Sequence, residues 1–221
     1  MKKSKVYWAH NNNLAYSDVV GYPPERLLSF MKKDPMFRDM HYGKVLTCPA
    51  TLDLIRNTYV LRSPVSMLNA LQENGDVNTL PMGLFHPAHD YVHLDDLAGW
   101  FFFSEVPTQV TVTPPYLHPQ GLVGSAGTYD ISKWFRQIHP AIMVTDHSVE
   151  IARGQPVVYV TFDKPVELVQ FDLTDRLLGI ANRSASLKHT IPKLSLKYLY
   201  EKFEQNKANK IVIEEIKRSI L

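Results

Sequence analysis

Short apolar segments follow one another between residues 99 and 171, and each ends at proline, glycine or charged residues. In TQVTVTP (108–114), Val110 and Val112 alternate with threonines, and this period of two is typical of a strand with one buried face. GWFFFSE (99–105) is aromatic and predicts a buried strand. Further strands are predicted at 141–145, 148–152, 156–162 and 165–171, with the last three joined as a β-meander. This pattern restricts the chain to a β-rich fold.

The first half of the chain has weaker strand patterns and one short helical segment. PERLLSFMKKD (24–34) places apolar residues at helical spacing after a proline, which predicts a helix. Strand or turn structure is predicted for residues 4–9, 44–55 and 57–64, and loops are predicted for 72–82 and 118–130.

The C-terminal residues change to helical spacing. Apolar residues recur every three or four positions in 193–206 and again in 208–220, which predicts a helical hairpin. We therefore expect an α+β fold that is mostly β, with a single sandwich or jelly-roll-like domain in residues 1–192. The helices of residues 193–221 are expected to pack on the same domain.

The composition argues against several functional classes. The 221-residue chain has a formal net charge of +2, which is too small for nucleic-acid binding by overall electrostatics. No apolar run reaches the length of a membrane span. The N-terminal MKKSKVYWAHNNN has no apolar segment after its lysines, so no signal peptide is predicted. We expect a soluble protein that is not secreted.

Cys48 is the single cysteine of the chain. One thiol excludes an intramolecular disulfide and a multi-thiolate zinc site. Because CPA (48–50) shows no helix start that would lower a thiol pKa, we interpret Cys48 as a buried structural residue rather than a nucleophile.

The stretch HPAHDYVHLDD (86–96) contains three histidines and three aspartates. Such side chains bind first-row metals and move protons near neutral pH. On a strand, His93 and Asp95 face the same side. With His147 as a third ligand they would form a facial triad for non-haem Fe(II), and Arg153 would anchor the carboxylate of 2-oxoglutarate. One hypothesis is therefore an Fe(II)/2-oxoglutarate-dependent dioxygenase in a jelly roll.

Other interpretations of this stretch stay open. On a helix, His86, His89 and His93 would share one stripe and capture a divalent ion, although Pro87 argues against a long helix. Helix capping and packing against aromatic rings explain the same residues without any metal. Metal-free acid–base chemistry is a further alternative.

Aromatic residues and an arginine concentrate in residues 113–136. These residue types are enriched at interface hot spots, and aromatic rings also stack on nucleic-acid bases. Core packing is the simpler explanation for any one ring. The contact surface that we predict consists of Tyr116, Tyr129, Trp134, Phe135 and Arg136.

Six segments in order resemble a group of uncharacterised proteins encoded by tailed bacteriophages, marine myoviruses among them. The matching segments are CPA (48–50), NTYVLRSP (57–64), TPPYLHP (113–119), GTYDISKWFR (127–136), ARGQPVVYVTF (152–162) and LYEKF (199–203). The resemblance covers most of the chain and implies a phage origin, a single β-rich domain and no established activity. The histidine-rich stretch 86–96 is not part of the shared pattern.

The leading functional prediction is a phage accessory or virion-associated protein that binds a phage or host protein, in the host cytoplasm or the virion. No cofactor is expected for that function. The first alternative is the dioxygenase, with Fe(II) and 2-oxoglutarate. The second is a single-stranded nucleic-acid-binding module that uses aromatic stacking and terminal lysines.

Overall fold

The computed structural model describes residues 3–11, 21–35, 37, 46–64, 66–71, 77–80, 84–86, 91–93, 99–118, 122–124, 126–138, 141–144, 148–190, 193 and 195–221. The strands are β1 (Ser4–His10), β2 (Glu25–Arg26), β3 (Thr58–Arg62), β4 (Met67–Leu71), β5 (Val77–Leu80), β6 (Leu84–His86), β7 (Tyr91–His93), β8 (Trp100–Phe103), β9 (Gln109–Thr113), β10 (Leu122–Gly124), β11 (Gly127–Asp130), β12 (Ala141–Val144), β13 (Ser148–Ile151), β14 (Pro156–Phe162) and β15 (Val166–Gln170). The helices are α1 (Leu27–Lys33), α2 (Pro49–Ile55), α3 (Asp175–Thr190), α4 (Leu196–Gln205) and α5 (Ala208–Arg218). The fold is therefore α+β and mostly strands, as predicted.

The described strands form four open sheets, and none of these closes into a barrel. Sheet A has the order β15-β1-β8, sheet B the order β11-β9-β14-β3-β2, sheet C the order β13-β4-β5-β6 and sheet D the order β10-β12-β7. In sheet A, β1 pairs parallel to β15 and antiparallel to β8. Within the described ranges, no helix is long and apolar enough to cross a membrane.

Sheet A is buried on both faces because alternate residues of its strands contact different apolar sets. Cluster 1 joins one face of sheet A to sheet B and includes Val6, Trp8, Trp100, Phe102, Val110, Val160 and Phe162. Cluster 2 joins the other face to the C-terminal helices and includes Tyr7, Ala9, Phe101, Phe103, Leu177, Phe203, Val212 and Ile216. The period of two in a strand thus divides the core into two layers.

A third apolar set, cluster 3, joins helices α1 and α2 to sheet B. Leu27 and Met31 lie four residues apart on α1 and are both fully buried, as expected for one face of a helix. They pack with Ile55 of α2, and with Val60 and Tyr159 of sheet B; Phe37 completes this cluster.

Residues 49–55 form a helix, so the prediction of strand and turn structure for 44–55 is wrong there. Pro49 occupies the first helical turn, where its missing N–H costs nothing. Cys48 precedes this helix and is exposed, contrary to the expectation of a buried thiol. The pKa of Cys48 is lowered by three hydrogen bonds. In decreasing order of effect, these come from the backbone N–H of Thr51, the side chain of Thr51 and the backbone N–H of Ala50. The helix start that we expected to be absent is therefore present.

Each of the four predicted strands in 141–171 exists, but the meander of residues 148–171 does not. Strand β13 pairs with β4, β14 lies between β3 and β9, and β15 pairs with β1. The predicted loops also contain strands, namely β5 within 72–82 and β10 and β11 within 118–130. Short loops favour pairing of sequential strands, but here distant strands provide the partners.

The two predicted C-terminal helices are confirmed as α4 and α5, which contact each other. Helix α3 was not predicted. Its N-terminus has a recognisable capping residue, because the Thr174 hydroxyl accepts a hydrogen bond from the backbone N–H of Leu177 at 3.3 Å. Asp175 in its first turn also favours a helix N-terminus.

Candidate functional site

A groove of about 470 Å³ lies between strand β11 and helix α4. The strand side is formed by Thr128, Tyr129, Asp130 and the following Lys133, and the helix side by Lys197, Tyr200, Glu201 and Glu204. Consecutive residues of a strand point to opposite faces of its sheet. Because three consecutive residues of β11 line the groove, we place the groove along the edge of the strand.

Strand β11 is the edge strand of sheet B and pairs only with β9 among the described strands. The backbone N–H of Ile131 donates to Thr108 O at 3.1 Å. Since hydrogen-bonded and non-hydrogen-bonded pairs alternate in an antiparallel ladder, the Thr128–Thr111 and Asp130–Gln109 pairs are of the non-hydrogen-bonded type. The Thr128 and Thr111 hydroxyls lie 2.8 Å apart, as expected for such a close pair.

The backbone groups of Thr128 and Asp130 therefore point away from β9 and toward the free edge. The Asp130 carbonyl accepts a hydrogen bond from the backbone N–H of Lys133 at 3.3 Å. In the part of the chain that the structure describes, no strand pairs with the N–H and C=O of Thr128 or with the N–H of Asp130. These three groups are available to a further strand.

Helix α4 presents one face to the groove, since its four lining residues are spaced three and four apart. Ser195 caps the helix by accepting a hydrogen bond from the backbone N–H of Tyr198 at 3.1 Å. The Tyr200 ring lies edge-to-face against the Trp134 ring, with 4.3 Å between the ring centroids. Trp134 thus fixes the helix relative to the loop that follows β11.

Two phenols of the groove are protonated at neutral pH. Burial raises the pKa of Tyr129 well above its ordinary value, although the Arg136 guanidinium opposes this shift. Burial also raises the pKa of Tyr200, again against the effect of Arg136. Both hydroxyl groups can therefore donate hydrogen bonds. The guanidinium carbon of Arg136 lies 5.8 Å from the centroid of the Trp134 ring.

The structure brings four of the five predicted contact residues to this region but buries two of them. Trp134 is 5% exposed, and Phe135 is fully buried in cluster 2. Neither ring has a free face for a partner: Trp134 packs against Tyr200 of the groove wall, whereas Phe135 packs in the core. Tyr129 and Arg136 are half-buried. Tyr116 is 44% exposed and packs edge-to-face on Tyr159 on the cluster 3 side of sheet B.

A buried polar cluster that was not predicted lies beneath Tyr116. The ring of His118 is 5% exposed, and its Nδ1 contacts the Tyr159 hydroxyl. The Nε2 atom lies 3.3 Å from Oδ2 of Asp34, an electrostatic contact without hydrogen-bond alignment. Burial lowers the pKa of His118, and Asp34 opposes the shift. His118 lies in TPPYLHP (113–119), one of the resemblance segments, and this is the sequence signal that could have identified it.

The predicted iron ligands fall largely outside the described residues. Asp95 and His147 are not described, and of His93 only the backbone is described, on β7 opposite Ala141. His86 and His93 lie on strands, so the helical stripe of histidines is wrong. Arg153 is exposed in a turn, and its backbone N–H donates to the Ser66 hydroxyl at 3.0 Å.

The described residues contain no group of three or more metal-binding side chains. Since two of the three proposed ligands lie outside the described residues, this observation does not test the iron site. The dioxygenase, with its Fe(II) and 2-oxoglutarate, stays a prediction.

No protein-family model matches the chain, and no curated protein matches it. A solved structure that aligns with part of the chain is a single-substitution variant of the dUTPase of Staphylococcus bacteriophage 80alpha. The alignment covers 54% of this chain and 83% of the dUTPase, at 10% identity and a TM-score of 0.32. A likeness at this level supports no conclusion about fold or activity.

Proposed function

We propose that this protein works by binding another protein, and that an extended segment of the partner lies in the groove as an added strand on β11. The observation that carries the proposal is the outer edge of β11, which pairs with no strand of the described residues and faces helix α4 across a groove. Peptides that add a strand to a sheet edge obtain affinity from main-chain hydrogen bonds and specificity from side-chain contacts. A phage accessory or virion-associated role is the biological setting that we propose for this binding.

The edge strand is held by a well-packed scaffold. Val110 and Val112 of β9, which pairs with β11, are both at most 7% exposed within cluster 1. We take sheets A and B, which share this cluster, as the two layers of a β-sandwich. A rigid edge favours binding because little conformational entropy is lost when the partner docks.

The hydrogen-bond donors and acceptors at the groove also fit an extended peptide. Main-chain N–H and C=O groups of Thr128 face the groove, and the hydroxyls of Tyr129 and Tyr200 are protonated. A peptide backbone offers both acceptors and donors at a regular spacing. The groove therefore suits a main chain in the extended conformation.

The test compares two substitutions of Thr128. Thr128→Pro removes the outward N–H and obstructs strand addition, but it leaves the ladder with β9 intact because this N–H does not bond to β9. Thr128→Val is the matched control, since it keeps the N–H and a β-branched side chain. The probe is a displayed library of random peptides, selected on the wild-type protein and followed by affinity measurement on the strongest binder.

We expect the selected peptide to bind Thr128→Pro about tenfold more weakly than the wild type. The hydrogen bond from the Thr128 N–H is lost, and the proline ring prevents the peptide from approaching the edge of β11 closely. Binding to Thr128→Val should stay within about twofold of the wild type. Far-UV circular dichroism checks that both variants are folded. If no peptide is selected, or if the peptide binds both variants equally, strand addition at β11 is wrong.

A further inference from the structure

Helix α4 carries opposite charges at the two ends of its groove-facing stripe. Lys197 is in the first turn, whereas Glu201 and Glu204 follow one and two turns later. At 1.5 Å rise per residue, Lys197 and Glu204 are about 10 Å apart along the helix axis. The charge of the groove wall therefore changes sign along its length.

These charges are not paired with charges of the described residues. Lys197 and Glu201 have the four-residue spacing of a helical ion pair, but neither they nor Glu204 takes part in any ion pair of the described residues. Elsewhere Glu25, Glu105 and Glu215 each pair with a cation. The groove wall is thus left with uncompensated charges of both signs.

On the strand side, the carboxylate of Asp130 is already engaged. Its Oδ1 accepts hydrogen bonds from the backbone N–H and the hydroxyl of Ser132, at 2.9 and 2.7 Å, and from the backbone N–H of Thr108 at 3.3 Å. Asp130 therefore holds the turn after β11 through its Oδ1 atom. The charges along the groove are those of the helix wall, together with Lys133 and Asp130 on the strand side.

We infer that the partner segment is a strand with an acidic side chain placed at Lys197 and a basic side chain placed at Glu201 and Glu204. The inference rests on the proposed function. A strand rises about 3.3 Å per residue, and its side chains on one face recur every second residue. The span of the helix stripe thus corresponds to acidic and basic residues two or four positions apart. Charge complementarity sets which segment binds and in which direction.

The experiment uses the peptide selected on the wild-type protein and a twin in which its acidic and basic residues are exchanged. The protein variants are Lys197→Glu/Glu201→Lys/Glu204→Lys, which reverses the wall, and Lys202→Glu, a control on the same helix. Lys202 lies near the Tyr198 ring and does not line the groove. Affinities are measured at low and high salt.

The wild type should bind the original peptide about fivefold to tenfold more tightly than the twin, with the preference decreasing at high salt. The reversed variant should prefer the twin, and Lys202→Glu should keep the wild-type preference. Equal affinity for both peptides overturns the inference; if Thr128→Pro still weakens binding in that case, the proposed function stands.

Two other outcomes are also decisive. Binding that is insensitive to Thr128→Pro removes the proposed function, and the inference with it. If the wild-type protein dimerises in solution, and both Thr128→Pro and Lys197→Glu dissociate the dimer, the occupant of the groove is a second copy of the chain. That result overturns the proposal of a peptide partner.

Discussion

His118 connects three parts of the cluster 3 side through a side chain that is almost fully buried. Its ring packs edge-to-face on Phe30 and Phe37, while its nitrogens face Tyr159 and Asp34. Burial raises the pKa of Tyr159, and the backbone N–H of Leu117 opposes this shift. Since a buried polar group without partners is costly, this arrangement explains how a histidine is accommodated in a core.

The lowered pKa of His118 predicts a pH dependence of stability. In the unfolded chain the ring takes up a proton near its ordinary pKa of 6.5, whereas the folded protein resists protonation to a lower pH. Between these two values the unfolded state binds more protons, so the free energy of unfolding falls as pH falls below 6.5. Above that value His118 contributes no pH dependence.

Urea unfolding of the wild type and of His118→Gln, at about pH 7 and about pH 5, measures this effect. The variant should be less stable than the wild type at the higher pH, but it should lose less stability on acidification. Carboxylates remote from His118 behave alike in both proteins and cancel in the comparison. An equal loss in both proteins would show that His118 is not the responsible group.

Among the secondary-structure elements, helix α4 is stabilised by its N-terminal cap. Ser195→Ala removes the acceptor for the backbone N–H of Tyr198 and should reduce the free energy of unfolding by about 1 kcal/mol. Ser195→Asp retains an acceptor and should stay close to the wild type. Thermal unfolding followed by circular dichroism compares the three proteins. Equal stability of the Ala and Asp variants would contradict the capping role.

The elements that could be predicted are those whose pattern is local. The alternation in 108–114 predicts β9, which alternates in burial as expected. The apolar spacing in 208–220 predicts α5, where Val212 and Ile216 are buried. Helix α2 was missed because residues 44–55 were interpreted as strand and turn structure with a break at Pro49, although Pro49 begins the helix. Proline has both meanings, and only its tertiary context decides between them.

The contact residues show a similar division between residue type and burial. Aromatic residues and an arginine concentrate in residues 113–136, and the strand side of the groove lies within this range. Composition could not separate Phe135, which is fully buried, from Tyr129, which lines the groove. Hot-spot rings and core rings have the same chemistry, so their roles depend on which face of the fold they occupy.

In the whole molecule, strands β1 and β8 join clusters 1 and 2 into one packed unit. Each of these strands sends alternate side chains into the two clusters, so a loss of packing on one side should destabilise the other. Ile216 of α5 is fully buried in cluster 2, and Trp100 is fully buried in cluster 1. The two residues lie on opposite sides of sheet A.

Ile216→Ala should lower the free energy of unfolding by about 2–5 kcal/mol. Tryptophan fluorescence and far-UV circular dichroism should give the same reduced midpoint, because the two clusters unfold together. Ile211→Ala on the same helix is the control and should have a small effect, since Ile211 is 41% exposed. A fluorescence midpoint that stays at the wild-type value while the helical signal shifts would show two independent units.

Local patterns in the sequence were enough to predict the class of the fold, the positions of most strands after residue 99 and the two C-terminal helices. These features depend on the spacing of apolar residues along a few turns or strand positions. The tertiary structure alone decided which strands pair, as in the parallel contact of β1 with β15 across more than half the chain. It also left β11 at an edge and placed α4 beside it. Pairing and edges are set by competition among distant segments for the same hydrogen bonds and the same core, and no local pattern records the outcome.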